Sequence, residues 1–140
     1  MSRTSARRFD RARELGLFVL LEGFDERDIE QMHELAAGPS LPKMLVGVNC
    51  RDLTTLQVVP ERLEKLAPLL PTNVPRVAES GVGTPEDAGR MAAAGYELAL
   101  VGSALMRGGD PGALARDMLE AGRSARQAGL TGARLADGPA

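Results

Sequence analysis

Four short runs of apolar residues punctuate this chain: Leu17–Leu21, Met44–Val48, Val74–Ala78 and Leu98–Val101. They are rich in valine and leucine and show little alternation, the pattern of strands covered on both faces of a parallel sheet. Pro75 falls at the start of its run, where a missing N–H is tolerated. Helical spacing fills the intervals. The first helix is predicted over about Ser5–Leu15 and stops at Gly16. The second starts near Asp25, carries Ile29, Met32 and Ala36 on one face, and stops at Gly38. The third opens with Pro60 and carries Leu63, Leu66, Ala67 and Leu70. The fourth opens with Thr84-Pro85-Glu86-Asp87, where Thr84 is a natural N-cap, Pro85 fits the first helical position and an acid follows. It ends at Gly95. The last opens with Asp110-Pro111 and fades near Arg126, and residues 127–140, rich in glycine and alanine, read as a frayed, disordered tail.

The order is α-β-α-β-α-β-α-β-α, which argues for an α/β fold with a parallel sheet and right-handed crossovers. From Glu22 to Asn49 is 27 residues, on to Glu79 is 30, and on to Gly102 is 23, all lengths of one βα unit. A (β/α)8 barrel of the TIM type takes about 250 residues. The 140 residues here suit half of one, with four parallel strands and flanking helices over residues 1–126.

Charge changes the picture little. There are 17 basic and 19 acidic residues, and only four aromatic rings, so the basic stripe with stacking rings of a nucleic-acid reader is not there. No apolar run approaches a membrane span, and no signal peptide is read, so a cytoplasmic protein without membrane contact is expected. One cysteine, Cys50, and one histidine, His33, put the familiar His/Cys metal sites out of reach, and no metal or cofactor is expected. Cys50 reads as a small buried hydrophobe and His33 as a surface residue. Lysine occurs only at Lys43 and Lys65, against fifteen arginines.

The chemistry lies where the strands end. The first run ends in Glu22, the second in Asn49, the third in Glu79-Ser80-Gly81 and the fourth in Gly102-Ser103. Parallel α/β folds bind ligands at the carboxyl ends of strands, so four strands put hydrogen-bonding groups on one rim. The two Gly-Ser turns follow consecutive strands, and glycine lets backbone N–H groups approach an anion. Either glycine alone would mark no more than a tight turn.

These residues also resemble a known family. Val46-Gly47-Val48-Asn49-Cys50-Arg51-Asp52-Leu53 is similar to the G-I-N-x-R-D-L stretch of indole-3-glycerol phosphate synthase. Val77-Ala78-Glu79-Ser80-Gly81-Val82 followed by Thr84-Pro85-Glu86-Asp87 resembles its V-x-E-S-G-I-x-T-P-E-D. Leu100-Val101-Gly102-Ser103-Ala104-Leu105-Met106-Arg107 resembles its L-V-G-x-x-L-M-R, and Leu20-Leu21-Glu22 with Asp25-Glu26 resembles its V-E-V-H-D-E. Other phosphate-handling barrels, such as thiazole synthases and histidine-pathway isomerases, share only the Gly-Ser features. The resemblance implies a carboxy-lyase of tryptophan biosynthesis that closes the ring of a carboxyphenylamino-deoxyribulose phosphate with loss of CO2 and water. It implies that Glu22 is the catalytic general base, and that Asn49 and Glu79 hold the substrate's hydroxyls and reacting centre. Arg51 and Ser80 would contact the substrate, and Gly81, Gly102 and Ser103 would cradle its phosphate. Gly23-Phe24 depart from the family's Val-His.

The resemblance begins at the helix before the family's fifth strand. The family's first four strands, with its catalytic lysines and a further glutamate, have no counterpart. Lys43, expected at the opposite rim, and Lys65, expected in a helix, cannot replace them. A half barrel would also leave its two edge strands unpaired. The partners expected are therefore a small phosphorylated substrate and either a second copy or a complementing chain with the first four strands. The alternative reading is a non-catalytic phosphate-binding half-barrel or assembly module.

Overall fold

The computed structural model describes residues 3–38 and 43–136. Its centre is the strand β2 (Met44–Asn49), where Val46 and Val48 are fully buried. It pairs in parallel with β1 (Val19–Gly23) on one side and β3 (Arg76–Glu79) on the other, and β4 (Leu98–Leu100) extends the sheet beyond β3. The four strands lie in sequence order, β1-β2-β3-β4, all parallel. Each return to the next strand passes through a helix, as parallel neighbours require. These helices are α2 (Glu26–Ala36), α3 (Glu61–Leu66) and α4 (Pro85–Ala93), with α1 (Arg3–Glu14) before the sheet and α5 (Ser103–Met106) and α6 (Pro111–Ala136) after it.

Alternate residues of β2 divide the molecule. Val46, Val48 and Cys50 join one buried cluster with Ile29 and Met32 of α2 and Leu63 and Leu66 of α3. The other face carries Leu45, Gly47 and Asn49. The register puts Glu22, Gly47, Val77 and Leu98 in one row across that face, and Asn49, Glu79 and Leu100 in the next row toward the carboxyl end. Small residues let α6 lie close along α4, with Gly89 beside Ala121 and Gly122 beside Ala88 and Ala92. The buried Tyr96 hydroxyl donates to the Leu63 carbonyl at 2.7 Å, tying the approach to β4 to α3.

The capping signals hold. Asp25 caps α2 by accepting from the Asp28 N–H, and Thr84 and Asp87 form a reciprocal capping box on α4. Gly16 and Gly95 adopt the left-handed backbone that follows α1 and α4.

Four details differ from the sequence reading. β1 begins at Val19 rather than Leu17, because its pairing starts where the Val19 N–H meets the Lys43 carbonyl at 2.8 Å. The third helix breaks after Leu66 into a 3₁₀ turn, Ala67–Leu69, because Pro68 has no N–H for the next helical bond. β4 is not covered on both faces: Leu98 and Leu100 keep 48% and 53% of their surface exposed. They lie on the inner face of the sheet, and Ala99 between them, on the other face, is exposed as well. Finally, the segment from Gln127, read as a tail, continues α6 as helix to Ala136; residues 137–140 lie outside the described residues. Its alanine, leucine and arginine favour helix enough to carry two glycines that cost about 1 kcal/mol each. No described helix is long and apolar enough to cross a membrane.

Candidate functional site

The sheet's twist and register bring the polar strand ends together at one rim. Glu22 on β1, Asn49 at the end of β2 and Glu79 at the end of β3 form a connected cluster. The Asn49 amide donates to Glu22 Oε1 at 2.8 Å, and Asn49 Oδ1 accepts from the Arg51 N–H at 2.8 Å. That second bond orients the amide so that its NH₂ faces the carboxylate. Glu22 and Glu79 lie within hydrogen-bonding reach of each other. Glu22 is exposed, whereas Glu79 keeps only 4% of its surface, and Glu79 Oε1 has no hydrogen-bond partner.

Two carboxylates at this separation resist both being charged. Burial, and after it the Glu22 charge and the contact with that carboxyl, push Glu79 up to about 7. Near neutral pH the Glu79 carboxyl is therefore protonated in part. Such a pair offers one carboxylate to accept a proton and one acid to donate a hydrogen bond.

Next to this cluster lies an open cavity of about 750 Å³. Arg51, Ser80, Gly81, Gly102 and Ser103 line it, together with Gly83, Asp87 and Arg107. Its floor is the turn after β3, where Ser80 and Gly81 take successive left-handed conformations at φ 66° and 72°. A side chain at 81 is excluded twice over, by that backbone and by Cys50 Sγ, 2.7 Å from where a Cβ would stand. A left-handed serine is uncommon and costs roughly 1 kcal/mol or more, a strain found most often at functional sites. Gly102, by contrast, has open space around it, so its backbone is approachable from the cavity. The Arg51 guanidinium donates to the Leu56 carbonyl at 3.1 Å and so braces the loop after β2. Asp87 takes part in the wall through its cap. Burial raises its carboxyl, but bonds from Arg90, the Gly83 N–H and Thr84 outweigh that and hold it below the usual range.

All eight residues singled out from the sequence thus lie in two adjoining groups, Glu22, Asn49 and Glu79 in one and the five cavity-lining residues in the other. Two contributors were overlooked. Arg107 follows Ser103 by four residues, a spacing that puts both on one side of a helical turn. Gly47 stands in the middle of a strand, where glycine signals a close approach. Neither lysine joins the site. Lys65 pairs with Glu26 at 2.8 Å on the helical side, and Lys43 sits exposed at the opposite, amino-terminal end of β2. Cys50 is fully buried, and burial pushes its thiol up. His33 bonds the Leu69 carbonyl through Nε2 at 2.8 Å, at the surface and away from the rim.

Sequentially ordered parallel strands, intervening helices and polar strand ends around a cavity define a protein of the (β/α)-barrel class. Residues 2–118 match the family profile described as indole-3-glycerol phosphate synthase, and the chain belongs to that family. It is 43% identical over 113 residues to an indole-3-glycerol phosphate synthase of Parafrankia sp. (strain EAN1pec), covering 81% of this chain and 40% of that one. It is 42% identical over 113 residues to that of Mycobacterium leprae (strain Br4923), covering 81% and 39%. The chain therefore spans about two fifths of the length of these relatives. In three dimensions it is similar to a chain of the Amycolatopsis orientalis BexX/CysO complex, with a TM-score of 0.57 and 20% identity, covering 88% of this chain and 50% of that one. It is also similar to the native KDPGal structure, with a TM-score of 0.55 and 25% identity, covering 84% and 53%. Four parallel strands on half of such a chain make this fold a half of the (β/α)8 barrel.

Proposed function

We propose that this chain carries the carboxylate and phosphate-binding part of an indole-3-glycerol phosphate synthase site. The reaction closes the ring of a carboxyphenylamino-deoxyribulose phosphate, releasing CO2 and water. The observation that carries this reading is the Glu22–Asn49–Glu79 cluster beside the cavity of Arg51, Ser80, Gly81, Gly102 and Ser103. Glu22, exposed and oriented by Asn49, is the general base. Glu79, protonated in part at neutral pH, holds a substrate hydroxyl. The phosphate sits in the cavity against the Gly81 and Gly102 backbone, the Ser80 and Ser103 hydroxyls and the Arg51 guanidinium, and its binding energy positions the reacting end. A charged phosphate ester of this kind does not cross membranes, which fits a cytoplasmic reaction.

Dehydration needs an acid at the leaving hydroxyl, and both lysines are turned away from the rim. The chain by itself is then expected to bind but not to turn over. The exposed Leu98 and Leu100 and the β1 and β4 edges, unpaired among the described residues, suit a complementing segment of four strands better than a second copy. A twofold pair would use four helices from each copy, whereas this chain brings a helix both before β1 and after β4. The two would compete for one groove at each join. The same absence of a cationic acid favours a second reading, a non-catalytic phosphate-binding half barrel. A fluorescence assay for the indole product separates the two. The chain alone should give no product above background, and the chain mixed with the barrel half that precedes the matched region in a relative should restore turnover. Full activity from the chain alone contradicts the proposal, and a complex that forms but stays inactive supports the non-catalytic module.

A further inference from the structure

Glu22 and Glu79 stand two strands apart, on β1 and β3. Adjacent strands are about 4.8 Å apart, so their backbones are separated by roughly 10 Å, and any residue on β2 between them would ordinarily fill that gap. The register puts Gly47 there. It pairs with Glu22 on one side and Val77 on the other, one row below Glu79. The Glu79 side chain runs back over Gly47 toward Glu22. A Cβ built on Gly47 would overlap Glu79 Oε1 and stand 3.0 Å from Glu79 Cδ and 3.2 Å from Leu20 Cδ1. Both are closer than ordinary contact; Leu20 is half-buried and can turn aside in place, whereas the buried Glu79 carboxyl lies directly over the position and has to leave it.

We propose that Gly47 is a positioning residue for the carboxylate pair: its bare Cα is the seat over which the Glu79 carboxyl lies to reach Glu22. Two observations support this role against a merely local need for glycine. Gly47 lies in regular strand with no left-handed backbone, so conformation does not demand glycine there. Strand interiors lose stability through glycine, so its presence needs a compensating reason. That reason is on the neighbouring strand. Without the seat, Glu79 must swing toward the open rim, where it separates from Glu22 and gains solvent. Both changes remove what keeps its proton on. The inference deepens the reading of Glu22 and Glu79 given above, yet it is tested with no substrate present, so its failure would be distinct from a failure of the proposed reaction.

The test is a carboxyl ¹³C NMR titration of the 140-residue chain and its Gly47→Ala variant, with Glu→Gln variants at 22 and 79 to assign the signals. In the parent the Glu79 midpoint is expected near 7. In Gly47→Ala it should fall by about one pH unit or more, toward the ordinary carboxyl value. A folded Gly47→Ala chain with an unchanged Glu79 midpoint overturns the proposal. Should Gly47→Ala not fold, denaturant unfolding of Glu79→Ala and Gly47→Ala/Glu79→Ala decides. With the Glu79 side chain gone, alanine at 47 has lost its main obstacle, so the double variant should unfold within a tenth of the single variant's midpoint. A double variant that is unfolded, or that falls as far below Glu79→Ala as Gly47→Ala falls below the parent, overturns it.

Discussion

At Glu79 burial and a like charge act in the same direction, and the result is a carboxyl that keeps its proton to about pH 7. This has a consequence for stability. The folded chain binds the proton more tightly than the unfolded chain, whose glutamate titrates near the ordinary 4.5. Below about 4.5 both states are protonated and the fold keeps its full stability from this group. Between 4.5 and 7 the unfolded chain releases a proton that the folded chain retains, so stability falls as pH rises, and it levels off above 7. The loss should be roughly 2 kcal/mol, allowing for partial solvent access. Asp87 works in the opposite sense, because its lowered carboxyl loses stability only in acid, below its ordinary value of 3.8. Denaturant unfolding from pH 4.5 to 8 should therefore show a decline that Glu79→Gln abolishes. An identical decline in that variant would assign the effect elsewhere. The type and position of these residues were legible in the sequence, because strand ends and βα spacing placed Glu22, Asn49 and Glu79 on one rim. Their coupling was not. It depends on Glu79 being buried and on a glycine between two non-adjacent strands, and neither is visible until register is known.

At the scale of the element, local signals agreed with the outcome wherever the backbone alone sets it. Thr84, Pro85 and Asp87 specify the start of α4, and the structure adds that Asp87 also accepts from the Gly83 N–H, joining the helix cap to the cavity wall. Thr84→Ala should cost about 1 kcal/mol of stability in denaturant unfolding. It should also loosen residues 83–87, read as faster amide exchange at Gly83 and Thr84. A variant with parent stability and exchange would mean that the Asp87 bonds alone hold the turn. Sequence reading erred where tertiary context decides. The run Leu98–Val101 has the composition of a fully covered strand, yet all three residues of β4 are exposed. Pro68 was passed over inside an otherwise periodic helix, and the last turn tightened there. The left-handed turn at Ser80-Gly81 was legible only in its glycine, since nothing about a serine announces a positive φ.

For the molecule as a whole, two surfaces remain unsatisfied, the inner face with Leu98 and Leu100 and the outer edges of β1 and β4. Exposed apolar strand edges of this sort invite pairing. The relatives are about two and a half times as long as the matched segment. The structure divides the site chemically as well. The carboxylate pair and the cavity beside it lie within this chain, and neither of its two lysines lines that cavity. Central to the proposed function is that this half retains the phosphate end of the site. It is tested most directly by ³¹P NMR titration of a reduced, non-reactive analogue of the substrate with the chain and its Ser103→Asp variant. A saturable shift in the parent that weakens by about tenfold or more in Ser103→Asp, where a carboxylate would face the phosphate, is the predicted result. Equal binding by both chains, or no binding by the parent, would contradict it.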